Sequence, residues 1–125
     1  MTTEGTVEAF RRAESLVAQR RPWEALRALE PVLDIAGDNA SVQLLLGRAY
    51  LFSAQFRRAE RAFLEVLELD PSDHYARHVL GRTLQKQGRL REAQTQLRMA
   101  ATMNPDPAYQ EAVGEVNARL ANRNS

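Results

Sequence analysis

Apolar residues return along this chain in steps of three and four, and the whole pattern recurs 34 residues later. In the central stretch, Val42, Leu46, Ala49, Tyr50 and Ser53 form one series, and after a break at Ala54-Gln55, Ala59, Phe63, Val66 and Leu67 form another. Such steps stack side chains on one stripe of a helix, whereas the strict alternation of a strand appears nowhere. Thirty-four residues on, Leu46-Gly47-Arg48 returns as Leu80-Gly81-Arg82, Tyr50 as Leu84, Ala59 as Ala93, Phe63 as Leu97, Val66 as Ala100 and Pro71 as Pro105. The same interval backwards gives a weaker copy in Ala13, Leu16, Ala25, Leu29 and Val32. A fixed period of this length marks stacked units, none of which buries its apolar face alone.

Turn and cap chemistry places the helix ends. Asn39 and Asp73 can accept bonds from orphaned amides at a first turn, and Pro22 suits a first helical position. Gly88 separates two helices, and Pro71 and Pro105 each follow one. Helices are predicted near 5–19, 22–35, 40–53, 56–69, 74–87 and 90–103, with a seventh from about 108 to 121. The seventh carries one apolar stripe, Tyr109, Ala112, Val113, Val116 and Leu120, as suits a cap on a stack. The expectation is an all-α solenoid forming one domain over 5–121. It has units of about 6–39, 40–73 and 74–107, a capping helix, and frayed ends at Met1–Gly5 and 122–125. Antiparallel helices approach closely only where side chains are small. Gly47 is therefore expected to face Ala59, and Gly81 to face Ala93, with Tyr50, Phe63, Leu84 and Leu97 filling the wider gaps.

These residues resemble the tetratricopeptide repeat. Unit two matches its pattern with Leu46, Gly47, Tyr50, Ala59, Phe63 and Pro71, and unit three with Leu80, Gly81, Leu84, Ala93, Leu97, Ala100 and Pro105. Unit one keeps Ala13, Leu16, Ala25, Leu29 and Val32 but departs at Arg12, where leucine is usual, and at Gly37, where proline is usual. The resemblance implies a concave face lined by the first helix of each unit. That face would carry Val7, Phe10, Glu14 and Val17, then Ser41, Leu44, Arg48, Leu51 and Phe52, then Tyr75, His78, Arg82 and Gln85. Phe10, Leu44, Phe52 and Tyr75 would make an exposed apolar patch there, with Arg48 and Arg82 as its basic side and Glu14 as their counterpart in unit one. Leu44 and Phe52 have a second reading, as packing against the neighbouring hairpin. The implied partner is a protein or peptide segment, apolar with an acidic flank, bound as a helix or an extended strand. Some relatives clamp an acidic chaperone C-terminus with lysines, asparagines and an arginine. Those places here hold Phe10, Glu14, Leu45, Tyr75 and Val79, which do not fit that ligand. Self-association into a homodimer is the alternative reading.

Composition narrows the field. Seventeen basic residues against sixteen acidic ones leave a net charge of +1, which gives no bulk electrostatic case for nucleic acid or an anionic membrane. Cysteine is absent, so disulfides and thiol chemistry are excluded. No run of apolar residues is long enough for a membrane span, and Met1–Phe10 lacks the features of a signal peptide, so a cytoplasmic location is expected. Sixteen of the basic residues are arginine and one is lysine, Lys86.

Candidate chemistry is thin. His74 and His78 stand four apart on one predicted helix, a chelating spacing, with Asp70 and Asp73 nearby, but Tyr75 occupies the place a metalloprotease gives to glutamate. Asp73 is better read as a cap, so no metal is assigned. Arg57, Arg58 and Arg61 are interrupted by Glu60, Glu65 and Glu68 and read as a solvated face. Trp23 is expected to cover the edge of the first hairpin. Phosphate loops, nucleophile elbows and acid–base dyads are missing, so a non-enzymatic binder without cofactor is the expectation.

Overall fold

The computed structural model describes residues 2–123, and these contain seven α-helices and no strand. They are α1 (Thr3–Ala18), α2 (Pro22–Ala36), α3 (Ala40–Phe52), α4 (Phe56–Leu69), α5 (His74–Lys86), α6 (Leu90–Met103) and α7 (Pro107–Arg123). The start signals act as their chemistry dictates. Asn39 Oδ1 accepts from the amides of Ser41 and Val42, Asp73 Oδ1 from that of Ala76, and Asp106 Oδ1 from that of Ala108. Pro22 opens α2. The expected fraying is corrected at both ends. Thr2 caps α1 through the Gly5 amide at 3.0 Å, so Thr3–Gly5 are helical, and α7 runs through Asn122 to Arg123. Met1 and residues 124–125 lie outside the described residues.

Each hairpin turns through one left-handed residue, and the three positions are again 34 apart: Arg20 (φ 59°), Ala54 (φ 60°) and Gly88 (φ 76°). The paired bonds are the same each time. The amides of Arg20, Ala54 and Gly88 donate to Val17, Leu51 and Gln85, and those of the next residues donate to Leu16, Tyr50 and Leu84. This closes the helix on its own last carbonyls. Only the third unit uses glycine, the residue that adopts this backbone without strain.

Helices pair as α1/α2, α3/α4 and α5/α6, with α7 against α6 and α5. The first helices touch in series, α1 to α3, α3 to α5 and α5 to α7, while α2, α4 and α6 make no contact with one another. A stack whose inner rods meet and whose outer rods splay is curved, and its concave wall is α1, α3, α5 and α7. The core falls into two clusters. One joins α1, α2 and α3 around Leu16, Leu29, Val32 and Leu45, and the other joins α4 to α7 around Phe63, Leu80, Leu97 and Val116. Tyr50 is half-buried and touches both clusters, a bridging place between them.

Ala13, Ala25, Ala59, Phe63, Ala93 and Leu97 are fully buried. At Gly47 and Gly81 the nearest neighbours are large side chains. A Cβ on Gly47 would strike the Phe63 ring, and one on Gly81 would come within 2.6 Å of the Leu97 side chain. Each glycine makes room for the large residue one turn beyond the alanine. The α7 stripe buries Tyr109, Ala112, Val116 and Leu120. At about 1.5–3 kcal/mol for a large apolar side chain, this burial outweighs any surface ion pair in holding the cap.

Candidate partner-binding groove

The concave wall carries two hollows. The larger, about 670 Å³, is formed by Leu51 and Phe52 of α3, Tyr75, His78, Val79, Arg82, Gln85 and Lys86 of α5, Glu115 and Arg119 of α7, and Arg20 from the turn after α1. The smaller, about 320 Å³, gathers Val7, Phe10, Arg11 and Glu14 of α1 with Ser41 and Val42 of α3 and the end of α2. Among the residues singled out by sequence, Phe52, Tyr75, His78 and Arg82 therefore come together in one hollow, and Phe10 and Glu14 in the other. Leu44 and Arg48 line neither.

The exposed apolar patch is corrected. Phe10, Leu44, Phe52 and Tyr75 are all half-buried, Phe10 and Phe52 against the first core cluster and Leu44 and Tyr75 against the second. Their outer surfaces make an apolar floor, but a shallow one. The large apolar side chains that do stand in solvent lie mostly on the outer helices, and Trp23, 60% exposed, covers no hairpin edge.

Electrostatics differ from expectation as well. Arg82 does not present a free guanidinium: its Nη1 donates to Glu115 Oε2 on α7 at 2.6 Å and to Gln85 Oε1 at 3.1 Å. That bond holds the Glu115 carboxyl below the ordinary carboxylate range. Among the described residues Arg48, its repeat counterpart, forms no ion pair, and its Nε is buried without a hydrogen-bond partner. The cations that sequence reasoning passed over are Arg20, Lys86 and Arg119. Arg20 lays its guanidinium 3.8 Å above the Phe52 ring. None of the three has an equivalent cation in a neighbouring unit, so the repeat gave no signal for them.

His74 and His78 both meet Tyr109. The Tyr109 hydroxyl of α7 shares a 2.9 Å hydrogen bond with His74 Nδ1, and the Tyr109 ring stacks on His78 with centroids 4.4 Å apart. Among the described residues no group of three or more His, Cys, Asp or Glu side chains is placed to hold a metal. Burial lowers the His78 pKa, the Arg82 charge adds to this, and Asp106 opposes it in part. The outer face is ionic: Arg89 joins Glu60 of α4 and Glu92 of α6 at 2.7 Å each. Arg57, Arg58 and Arg61 are exposed.

Comparison with known proteins agrees with this architecture. The family profile described as Tetratricopeptide repeat matches residues 16–77 and 53–116. The uncharacterized protein y4yS of Sinorhizobium fredii (strain NBRC 101917 / NGR234) is 33% identical over 88 residues, which covers 68% of this chain. The chain spans about half, 47%, of that relative's length. The first such domain of Spaghetti (RPAP3), bound to the HSP90 peptide SRMEEVD, superposes with a TM-score of 0.85 at 16% identity, covering 97% of each chain. The Sgt2 domain from Aspergillus fumigatus gives 0.87 at 17% identity over 98% of this chain and 83% of its own. The second domain of human RPAP3, in complex with the HSP70 peptide SGPTIEEVD, gives 0.80 at 17% identity over 91% and 96%.

Proposed function

Because this chain belongs to the tetratricopeptide repeat family, a protein-interaction fold, we propose that it works as a non-enzymatic adaptor whose concave groove takes a segment of another protein. Residues 5–121 act as one interaction domain of three units and a cap, and its place of action is the cytoplasm. Among the described residues no helix is long and apolar enough to cross a membrane.

One observation carries the reading: a hollow of about 670 Å³ on the concave wall, floored by Leu51, Phe52, Tyr75 and Val79 and built from three inner helices and a turn. Leu51, Phe52 and Tyr75 are half-buried against the core and still turn apolar surface into the hollow, which suits the apolar side chains of a bound segment. Neighbours of the same fold hold acidic peptides, which supports a peptide ligand here. The positions that would clamp a terminal carboxylate hold Phe10, Glu14, Leu45, Tyr75 and Val79, so the ligand is a different one. Phe52 and Tyr75 anchor the apolar part of the segment, Arg48 and Arg82 orient it, and Phe10 with Glu14 receives its far end.

The test is affinity capture from native lysate with wild type and a Phe52→Ala/Tyr75→Ala variant, both checked as folded by circular dichroism. Prey should be lost from the variant, and equal retention would place binding on another face. Sedimentation over a concentration series addresses the homodimer: a dimer broken by the same two substitutions, with no prey, would replace the adaptor reading.

A further inference from the structure

The larger hollow does not share the near-neutral balance of the whole chain. Four cations, Arg20, Arg82, Lys86 and Arg119, stand round it against one carboxylate, Glu115, and Arg82 already occupies that carboxylate. Among the described residues Arg20, Lys86 and Arg119 have no ion-pair partner. They reach the hollow from the end of α1, the end of α5 and the middle of α7, so folding alone brings them together. The repeat does not impose them either. Lys86 corresponds to Phe52 one unit back and Leu120 one unit on, and Arg20 corresponds to Ala54 and Gly88. Arg57, Arg58 and Arg61 of α4 also lack ion-pair partners among the described residues, but they are dispersed along an exposed helix with Glu60, Glu65 and Glu68, whereas Arg20, Lys86 and Arg119 line one hollow. Convergent, uncompensated charge beside an apolar floor repels itself until an anion arrives.

Arg20 is the most informative of the three. It holds a left-handed backbone that glycine adopts in unit three, and its guanidinium covers the Phe52 face at 3.8 Å. A guanidinium held over a ring still has N–H groups to donate to a carboxylate.

We infer that this end of the groove recognises the side-chain carboxylates of an acidic partner segment, with an apolar residue seated on the Tyr75 floor and Asp or Glu residues on a rim of Arg20, Lys86 and Arg119. The inference rests on the reading that the groove takes a partner segment, and it names that segment's chemistry. A single-stranded nucleic acid would meet the same charges but would find no row of ring faces for successive bases, since Arg20 lies over the Phe52 ring and Tyr109 stacks on His78.

A random dodecapeptide display library, panned against wild type and against a folded Lys86→Glu/Arg119→Glu variant, tests this directly. Wild type should enrich sequences that join two or more Asp/Glu residues to an aromatic or aliphatic one. The variant should lose the acids and keep the apolar preference. A synthetic peptide of the selected consensus should bind wild type at least about tenfold more tightly than the variant, with an affinity that falls as salt rises. Binders without acidic enrichment, or acidic binders indifferent to the double reversal, overturn this inference and leave the groove reading standing. A library that yields no binder, or binders unaffected by Tyr75→Ala, overturns the groove reading itself. Lys86 supplies an independent readout as the only lysine in the chain. Carbodiimide coupling should join a peptide carboxylate to its Nζ, and Lys86→Arg should keep affinity while abolishing the link. A labelled dodecathymidylate that binds more tightly than the consensus peptide and competes with it would replace the peptide by a nucleic acid.

Discussion

At Gly47 the helix α3 gives up a side chain so that the Phe63 ring can lie against its backbone, and Gly81 does the same for Leu97. The two sites look alike in sequence but differ in what must yield. A ring cannot move its edge without turning the whole side chain, whereas the Leu97 branch can change rotamer, although its backbone nitrogen also lies only 3.3 Å from the added Cβ. Alanine gains about 1 kcal/mol of helix propensity over glycine, against about 1–3 kcal/mol for overpacking a tight contact. Gly47→Ala should therefore lower stability by about 1–2 kcal/mol, and Gly81→Ala should cost clearly less; urea denaturation midpoints compare them. A reversed order would mean that the Phe63 contact is looser than the structure has it. The left-handed turns give a second comparison. Ala54 adopts at φ 60° what Gly88 adopts freely, so Ala54→Gly should stabilise the fold by up to about 1 kcal/mol. Gly88→Ala should destabilise it by a similar amount in the same assay. Arg20 pays this cost too, in exchange for placing its guanidinium over Phe52.

Among elements, α7 has a double duty, covering the last hairpin and walling the larger hollow. Its inner stripe was legible as a 3.6-residue period, and its helix ends fell within two residues of expectation. Its polar contacts were not legible, because nothing in the spacing of Tyr109, Glu115 or Asn117 says which neighbour each meets. Tyr109 reaches back 35 residues to His74 and lies flat on His78, Glu115 takes Arg82, and Asn117 Oδ1 accepts from Gln94 Nε2 at 2.7 Å. The His78 contact makes this junction sensitive to acid. Folding lowers the His78 pKa below its ordinary 6.5, chiefly by burial. Above that value both folded and unfolded chains hold the ring neutral, and pH has no effect through it. As pH falls through 6.5, the unfolded chain takes up a proton that the folded chain refuses, and stability declines until the folded pKa is passed. Melting temperatures between pH 7.5 and 5.5 should therefore fall more steeply for wild type than for His78→Asn, and parallel curves would show that the histidine is not the sensor. The Arg82–Glu115 pair does not confuse this window. The Glu115 pKa is lowered, so its contribution fades only in the more acidic range where carboxylates protonate.

The described residues form a curved stack with two unlike ends, and this accounts for Arg12, one of the two places (Gly37 is the other) where unit one departs from the repeat pattern. Arg12 aligns with Leu46 and Leu80, and Glu8 aligns with Val42 and Ala76. Those four apolar residues are buried against the hairpin before them, while Glu8 and Arg12 are exposed, since no hairpin packs on α1 from that side. They edge a shallow, open hollow with Glu24 and Arg27. The period thus told where apolar side chains sit, and its breaks told which face of α1 is polar. What it could not tell is how far a concave residue is covered by the next helix along, which is why Phe10, Leu44, Phe52 and Tyr75 proved half-buried. Nor could it find Arg20, Lys86 and Arg119, which answer to no cation in the other units. If the polar end is a stop, removing its polarity should restart the stacking. Glu8→Val/Arg12→Leu should leave the helical circular dichroism unchanged but add a concentration-dependent species larger than any that wild type forms, visible by sedimentation velocity. A double variant that sediments like wild type at every concentration would mean that α1 and α2 present too little continuous surface to stack. Polarity at positions 8 and 12 would then be incidental to where the solenoid ends.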